Sequence, residues 1–278
     1  ADLWMGVRSS HIQRDSQRTD GSQATHDERT ITTPWLAFSH KLPLNSTGYA
    51  SYGQGVEAQV TPNRSRYTNA GVALPSAKST QKEFGIKGAQ NQWLWNAALF
   101  DITRPVWGDQ GACEEANSCT RKLDGVAQHK GLEMGMGYRS KQWKIDTAAT
   151  WLNAKRLEAL IDPSQNGQRP LNVPSLVVRA AAEYRWSQVP GLRTTLRLSH
   201  EGQRDLMEGG AMTLPAWTTA DLAAHYSTKV AGKSTDWSLA LENATNRAYW
   251  RESPKQYGHY YLYAGAPRNL RLTVRFVY

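Results

Sequence analysis

No stretch of this chain approaches the roughly 18 consecutive apolar residues of a membrane-crossing helix. The mean hydropathy is −0.61, and helical spans are excluded. Transmembrane β-barrels are not, because their strands leave only a weak hydropathy signal. Cysteine is scarce: Cys113 and Cys119 are the whole supply. They lie close together in the polar run GACEEANSCTR, with no second Cys pair or His beside them. That arrangement points to a small loop staple in an oxidising compartment, contributing roughly 2 kcal/mol of local constraint, and away from a metal site. Histidine is thin too. The seven copies, at 11, 26, 40, 129, 200, 225 and 259, show no metal-ligand spacing, and no nucleophile–base–acid set is visible. His200 and Glu201 are adjacent on a strand and so point to opposite faces. No catalytic residues, metal ligands or cofactor are therefore expected. No signal peptide opens the sequence, and it starts at Ala1, so the numbering is read as beginning after a removed or missing segment.

What is abundant is skewed. There are 11 Trp and 12 Tyr against 4 Phe in 278 residues. Trp and Tyr pair an apolar body with a polar tip, which suits a membrane–water boundary. The net charge is +9, but its Lys and Arg are spread over alternating strand positions rather than gathered in one patch, which argues against nucleic-acid binding.

The end of the chain, APRNLRLTVRFVY at 266–278, sets the pattern. Leu270, Leu272, Val274, Phe276 and Tyr278 alternate with Arg271, Thr273 and Arg275. Successive strand side chains face opposite ways, so this is a strand with one apolar and one cationic face, closed by an aromatic. Either a half-buried edge strand or the last strand of a membrane barrel fits it. Reading forward from residue 1 gives about twelve such segments and no long helix. The first strand is expected over 3–15, followed by a polar loop over 16–28 and a second strand over 29–41. Trp143 and Trp151 share one face of the seventh, about 26 Å apart along the strand. A tilt of about 40° turns that into close to 20 Å of height, enough to separate two aromatic girdles. Long polar connections follow the odd-numbered strands and short turns the even-numbered ones. That rhythm is the one of outer-membrane barrels, with short periplasmic turns and long extracellular loops. It favours an all-β, antiparallel transmembrane β-barrel.

Several stretches, in order, carry a family resemblance: YASYGQGVE at 49–57, LPSAKSTQKEFGIKG at 74–88, ALFDITR at 98–104, GLEMGMGYR at 131–139, LPAWTTADLAAHY at 214–226, LENATNRAYW at 241–250 and GAPRNLRLTVRFVY at 265–278. The sequence resembles the carboxyl-terminal part of a TonB-dependent outer-membrane receptor of the ferric-siderophore type. The resemblance implies a Gram-negative outer-membrane protein and a barrel of about 22 strands with a plugged lumen, of which about 12 are present here. It implies a ferric siderophore as ligand, iron entering only as part of that ligand. It implies energy delivered through TonB by way of an amino-terminal segment, and delivery of the chain to the barrel assembly machinery by the terminal strand, 266–278. Against that pattern, residues 1–278 are expected to lack the plug and the TonB-binding segment, as a fragment or as a truncated or decayed receptor would. A stand-alone twelve-stranded pore or an outer-membrane enzyme is the alternative.

Ligand contact is expected from the aromatics Tyr67, Trp107, Tyr257, Tyr260 and Tyr261 on the long loops. Arg179 and Arg193, with Arg185, Arg197, Arg271 and Arg275, would line the inner wall. They either set up a field for anionic chelates or pair with carboxylates of neighbouring strands or of the plug. Basic loop residues would meet outer-membrane lipid and the phosphates of lipopolysaccharide.

Overall fold

In a computed structural model, residues 1–17, 19–21, 23–256 and 259–277 are described. Twelve strands form one antiparallel sheet in which each strand pairs with its neighbours in chain order. They are β1 (Asp2–Gln17), β2 (Gln23–Leu42), β3 (Ser46–Glu57), β4 (Ala77–Gln90), β5 (Trp93–Gly111), β6 (Cys119–Arg139), β7 (Trp143–Leu157), β8 (Leu176–Arg185), β9 (Leu192–Glu201), β10 (Trp217–Val230), β11 (Lys233–Glu242) and β12 (Asn269–Val277). Among the described residues β1 and β12 are the two free edges. Among the described residues no helix is long and apolar enough to cross a membrane.

Register follows from alternation. Phe38, Ala50, Phe84, Leu99, Leu132 and Trp151 are directly opposite one another along β2 to β7. Leu196, Leu222, Leu241 and Leu270 do the same from β9 to β12. A one-residue slip would turn every one of these side chains to the other face. The apolar face stays uncovered: Phe84 is 66% exposed, Leu99 58% and Leu270 65%. A continuous uncovered apolar band belongs against lipid rather than water. At the short-turn end it is rimmed by aromatics. Trp93 packs on Tyr138 with ring centres 4.8 Å apart, Trp143 on Tyr184 at 4.7 Å, and Tyr184 edge-on to Trp186 at 5.0 Å.

The first hairpin corrects the expected boundaries. The polar run 16–28 is not a loop: β1 continues to Gln17 and β2 starts at Gln23. Here both faces are polar, so alternation gave no sign of pairing. The strands are held by their ladder and by side-chain pairs such as His26 with Asp15 and His11 with Thr30. Likewise β5 and β6 run past the band, through a bulge between Pro105 and Trp107, to the Cys113–Cys119 disulfide. The last residue, Tyr278, lies outside the described residues.

Candidate functional site

All the long connections leave the sheet at one end, and there they pack on each other. The β3–β4 loop (58–76) is zipped to the top of β6. Thr68 N–H donates to the Cys119 carbonyl (2.8 Å), Cys119 N–H to the Arg66 carbonyl (3.0 Å), and Asn69 and Arg121 exchange hydrogen bonds of 2.8 and 3.1 Å. The β7–β8 loop (158–175) is pinned from below. The buried Asp124 carboxylate accepts from the N–H groups of Leu160 (2.8 Å) and Ile161 (2.9 Å) and from Arg156 Nη2 (2.9 Å). Asn172 then clamps Ser253 of the β11–β12 loop in both directions, at 2.6 and 2.7 Å. The β9–β10 loop (202–216) meets that same loop through Glu208, which accepts from Lys255 Nζ (2.5 Å) and from the Tyr260 hydroxyl. At the foot of the β11–β12 loop, buried Asn243 holds the backbone of Arg247 and Ala266, and Tyr249 stacks on Trp217 at 4.3 Å.

These loops enclose a cavity of about 1090 Å³, lined by Tyr67, Trp107, Arg121, Arg156, Arg169 and Lys255 among others. Its volume is at the upper end of small-molecule sites. Most of the charges on its wall are internally satisfied. Arg121 forms a fork on Asp109 (2.6 and 2.8 Å), and Tyr67 donates to the same carboxylate at 2.8 Å. Burial pushes the Asp109 carboxyl up, but the bonds from Arg121 and Tyr67 outweigh it and hold the group below its ordinary value. Burial, then the bond to Asp109, raises the Tyr67 hydroxyl. At Glu208 burial again acts upward, and the bonds from Lys255 and Tyr260 prevail and lower it. Burial lowers the Lys255 ammonium, but the Glu208 bond overrides this and raises it. Arg169 differs: among the described residues it makes no hydrogen bond or ion pair.

The residues expected to touch ligand fall into separate places. Trp107 lines the cavity, its indole N–H buried without an acceptor among the described residues. Tyr67 also lines it but is only 3% exposed, its ring 5.3 Å from both the Arg66 and Arg121 guanidinium carbons. Tyr260 reaches the rim through Glu208, and Tyr261 is exposed outside it. Tyr257 lies outside the described residues. Arg179 and Arg193 sit on the inner face of the sheet, away from the cavity. Arg179 is bonded to Glu201 and the His200 carbonyl (2.9 Å), and Arg193 is 3.9 Å from Glu183. Arg185 pairs with Glu183 (3.1 Å) and Arg271 with Glu242 (2.9 Å). Each of these four thus lies beside a carboxylate, on a neighbouring strand for Arg179, Arg193 and Arg271 and on its own strand for Arg185. Asp109 with the disulfide sulfurs forms a compact group, but sulfurs bonded to each other are not thiolate ligands. Sequence reading passed over Asp109, Asp124, Arg156, Arg169 and Glu208. Periodicity carries no signal for them: Asp109, Asp124, Arg156 and Glu208 act through partners far away in the chain, and Arg169 is set apart only by its place on the cavity wall.

Residues 3–246 match the family described as TonB dependent receptor-like, beta-barrel. Among curated proteins, the chain is 28% identical over 282 residues to the Ferrichrome receptor FcuA of Yersinia enterocolitica, covering 98% of this chain and 36% of that protein. It is 27% identical over 173 residues to the Metal-pseudopaline receptor CntO of Pseudomonas aeruginosa, covering 59% of this chain and 23% of that protein. Among solved structures, BauA, the ferric preacinetobactin receptor of Acinetobacter baumannii, superposes with a TM-score of 0.78 at 23% identity, over 99% of this chain and 40% of that one. The siderophore receptor PiuA of the same organism gives 0.75 at 17% identity, over 99% and 40%. These superpositions establish the fold. The chain thus spans well under half the length of these relatives.

Proposed function

Because the chain belongs to the TonB-dependent receptor β-barrel family of the outer membrane, we propose that it is the carboxyl-terminal part of a ferric-siderophore receptor barrel. It binds the chelate at its long-loop end and passes it inward at the expense of energy delivered through TonB in the full-length protein. The observation that carries this reading is the cavity of about 1090 Å³ under the packed loops. It is large enough for a chelated iron, has an aromatic wall at Trp107, and carries Arg169, a cation with no partner among the described residues. An anionic ferric chelate gains from that cation without breaking an existing pair. The likeness to the Ferrichrome receptor FcuA supports iron chelates as the ligand class.

The test is a titration of the native polypeptide, in detergent, with a panel of ferric siderophores and their iron-free forms, following tryptophan fluorescence. Saturable quenching by one ferric chelate, weakened by Arg169→Gln, supports the reading. A flat response to every chelate, with open-channel conductance in planar bilayers, would move the chain to the pore alternative.

A further inference from the structure

The wall of the loop cavity is uneven in the hydrogen-bonding groups it leaves open. Its carboxylates are Asp109, Glu114, Asp124 and Glu208. Asp109 is occupied by Arg121 and Tyr67, Asp124 by Arg156 and two loop amides, and Glu208 by Lys255 and Tyr260. Glu114 is exposed, between β5 and β6, and so faces water.

The donors are not taken up in the same way. Arg169 is half-buried and has no hydrogen-bond or ion-pair partner among the described residues. The Arg156 side chain is 8% exposed. Its Nη2 serves Asp124, while its Nη1 is buried with no acceptor among the described residues. Trp107 Nε1 is in the same state. A buried donor without an acceptor is destabilising, so these groups call for a partner from outside the chain.

A wall with open donors and occupied buried carboxylates selects by hydrogen-bond polarity. It favours a ligand edge made of acceptor oxygens. It penalises an edge of N–H or O–H groups, which would be buried there unpaired. Ferric chelates differ in that edge. A tris-hydroxamate complex is neutral and offers no anionic edge. A tris-catecholate is anionic, but its charge lies on oxygens already bound to iron. An α-hydroxycarboxylate complex keeps free carboxylates at its periphery, and the planar guanidinium fork matches a carboxylate at both oxygens.

We propose that the cavity is selective for ferric chelates of the hydroxycarboxylate class, a free carboxylate of the ligand being taken by Arg169 and its other acceptor oxygens by Trp107 Nε1 and Arg156 Nη1. The inference rests on the reading of the chain as part of a ferric-chelate receptor and narrows its ligand.

The test titrates the native polypeptide, in detergent, with preformed ferric dicitrate, with ferric coprogen as the neutral tris-hydroxamate, and with ferric enterobactin as the tris-catecholate. Ferric dicitrate is expected to bind at least about tenfold more tightly than either of the others. Arg169→Gln should remove that preference. Arg169→Lys, which keeps the charge and loses the fork, should recover only part of it. Trp107→Phe keeps the aromatic wall and loses the N–H, and should weaken ferric dicitrate alone. Heat-modifiable migration verifies folding; should Trp107→Phe not fold, the two Arg169 variants decide the matter, since that side chain holds no partner among the described residues. Binding led by coprogen or enterobactin would overturn the proposal and leave the ferric-chelate reading standing. So would an Arg169→Gln variant that weakens every chelate alike. No response to any of the chelates would overturn both.

Discussion

Replacing Asp124 by alanine should release the β7–β8 loop from the cavity wall. The carboxylate and its partner are both inside: side-chain exposure is 4% for Asp124 and 8% for Arg156. Its second oxygen takes the N–H groups of Leu160 and Ile161. Removing it leaves a buried guanidinium without its counter-charge, at a cost of roughly 3–5 kcal/mol. Two loop amides lose their acceptor as well. At about 1.4 kcal/mol per tenfold, opening of the loop becomes at least about a hundredfold more frequent. The readout is hydrogen exchange of Leu160 and Ile161 in the intact protein, because a local opening is seen there before the sheet itself loosens. Asp124→Asn keeps an oxygen for the two amides but loses the charge, so its exchange should fall between alanine and the unmodified protein. Asp124→Leu/Arg156→Met removes both charges, and should recover part of the protection that Asp124→Ala loses. Unchanged exchange in Asp124→Ala, or a double variant worse than the single, would refute the assignment of Asp124 as the loop's anchor.

The clasp between Glu208 and Lys255 should hold around neutrality and fail at both extremes. Glu208 is lowered, so its contribution is full above the ordinary carboxylate value and is lost as pH falls through its folded value; Lys255 is raised, so its contribution is full below the ordinary ammonium value and is lost as pH rises through its folded value. Spin labels on the 202–216 and 243–268 loops should separate in acid and in strong base and stay close between. Gly125→Ala should misplace the same β7–β8 loop, since its φ is +71° and a Cβ would come within 2.2 Å of the Glu158 carbonyl oxygen; protease cutting between 158 and 175 should speed up. Trp143→Ala should lower the urea midpoint in lipid vesicles, because it removes the ring packed on Tyr184; the pair alone is worth about 0.5–1.5 kcal/mol beyond its buried area.

The membrane half of this protein could be read from its sequence because the environment there imposes a rule on every second residue. Leu270, Leu272, Val274 and Phe276 face lipid and Arg271, Thr273 and Arg275 do not, and the register with β11 follows that alternation. The rule stops where the lipid stops. In the first hairpin, Gln13 and Asp15 on one side and Asp27 and Glu28 on the other are polar whichever face they occupy, so a paired ribbon reads like a loop. The cavity was opaque for a different reason. Asn172 is decisive only because Ser253 is there, and Glu208 only because Lys255 and Tyr260 are. Such partners are many residues apart with nothing periodic to link them. Aromatic content pointed to Trp107 and Tyr67 at the cavity. It could not tell that Tyr67 spends its hydroxyl on Asp109.

That satisfaction decides how charge can act here. Arg121, Arg156 and Lys255 each face a carboxylate at 2.9 Å or less, so their fields are largely cancelled a few ångströms away. They stiffen the loops instead. On the inner wall Arg271 faces Glu242, while Arg185 and Arg193 share Glu183 and Arg179 shares Glu201 with Arg204, so compensation there is partial. A net charge of +9 therefore does not become a uniformly attractive lumen. Among the described residues it becomes a set of paired struts with cations left over, Arg169 beside the cavity and Arg197 and Arg275 on the inner wall among them. A free cation can bind an anion without first giving up a partner, whereas a paired one must break a bond of comparable strength. Recognition of anions by this chain should then localise to those leftover positions. Substituting Arg169 should change chelate affinity more than substituting Arg121, whose loss acts through the loop that Asp109 and Tyr67 hold together.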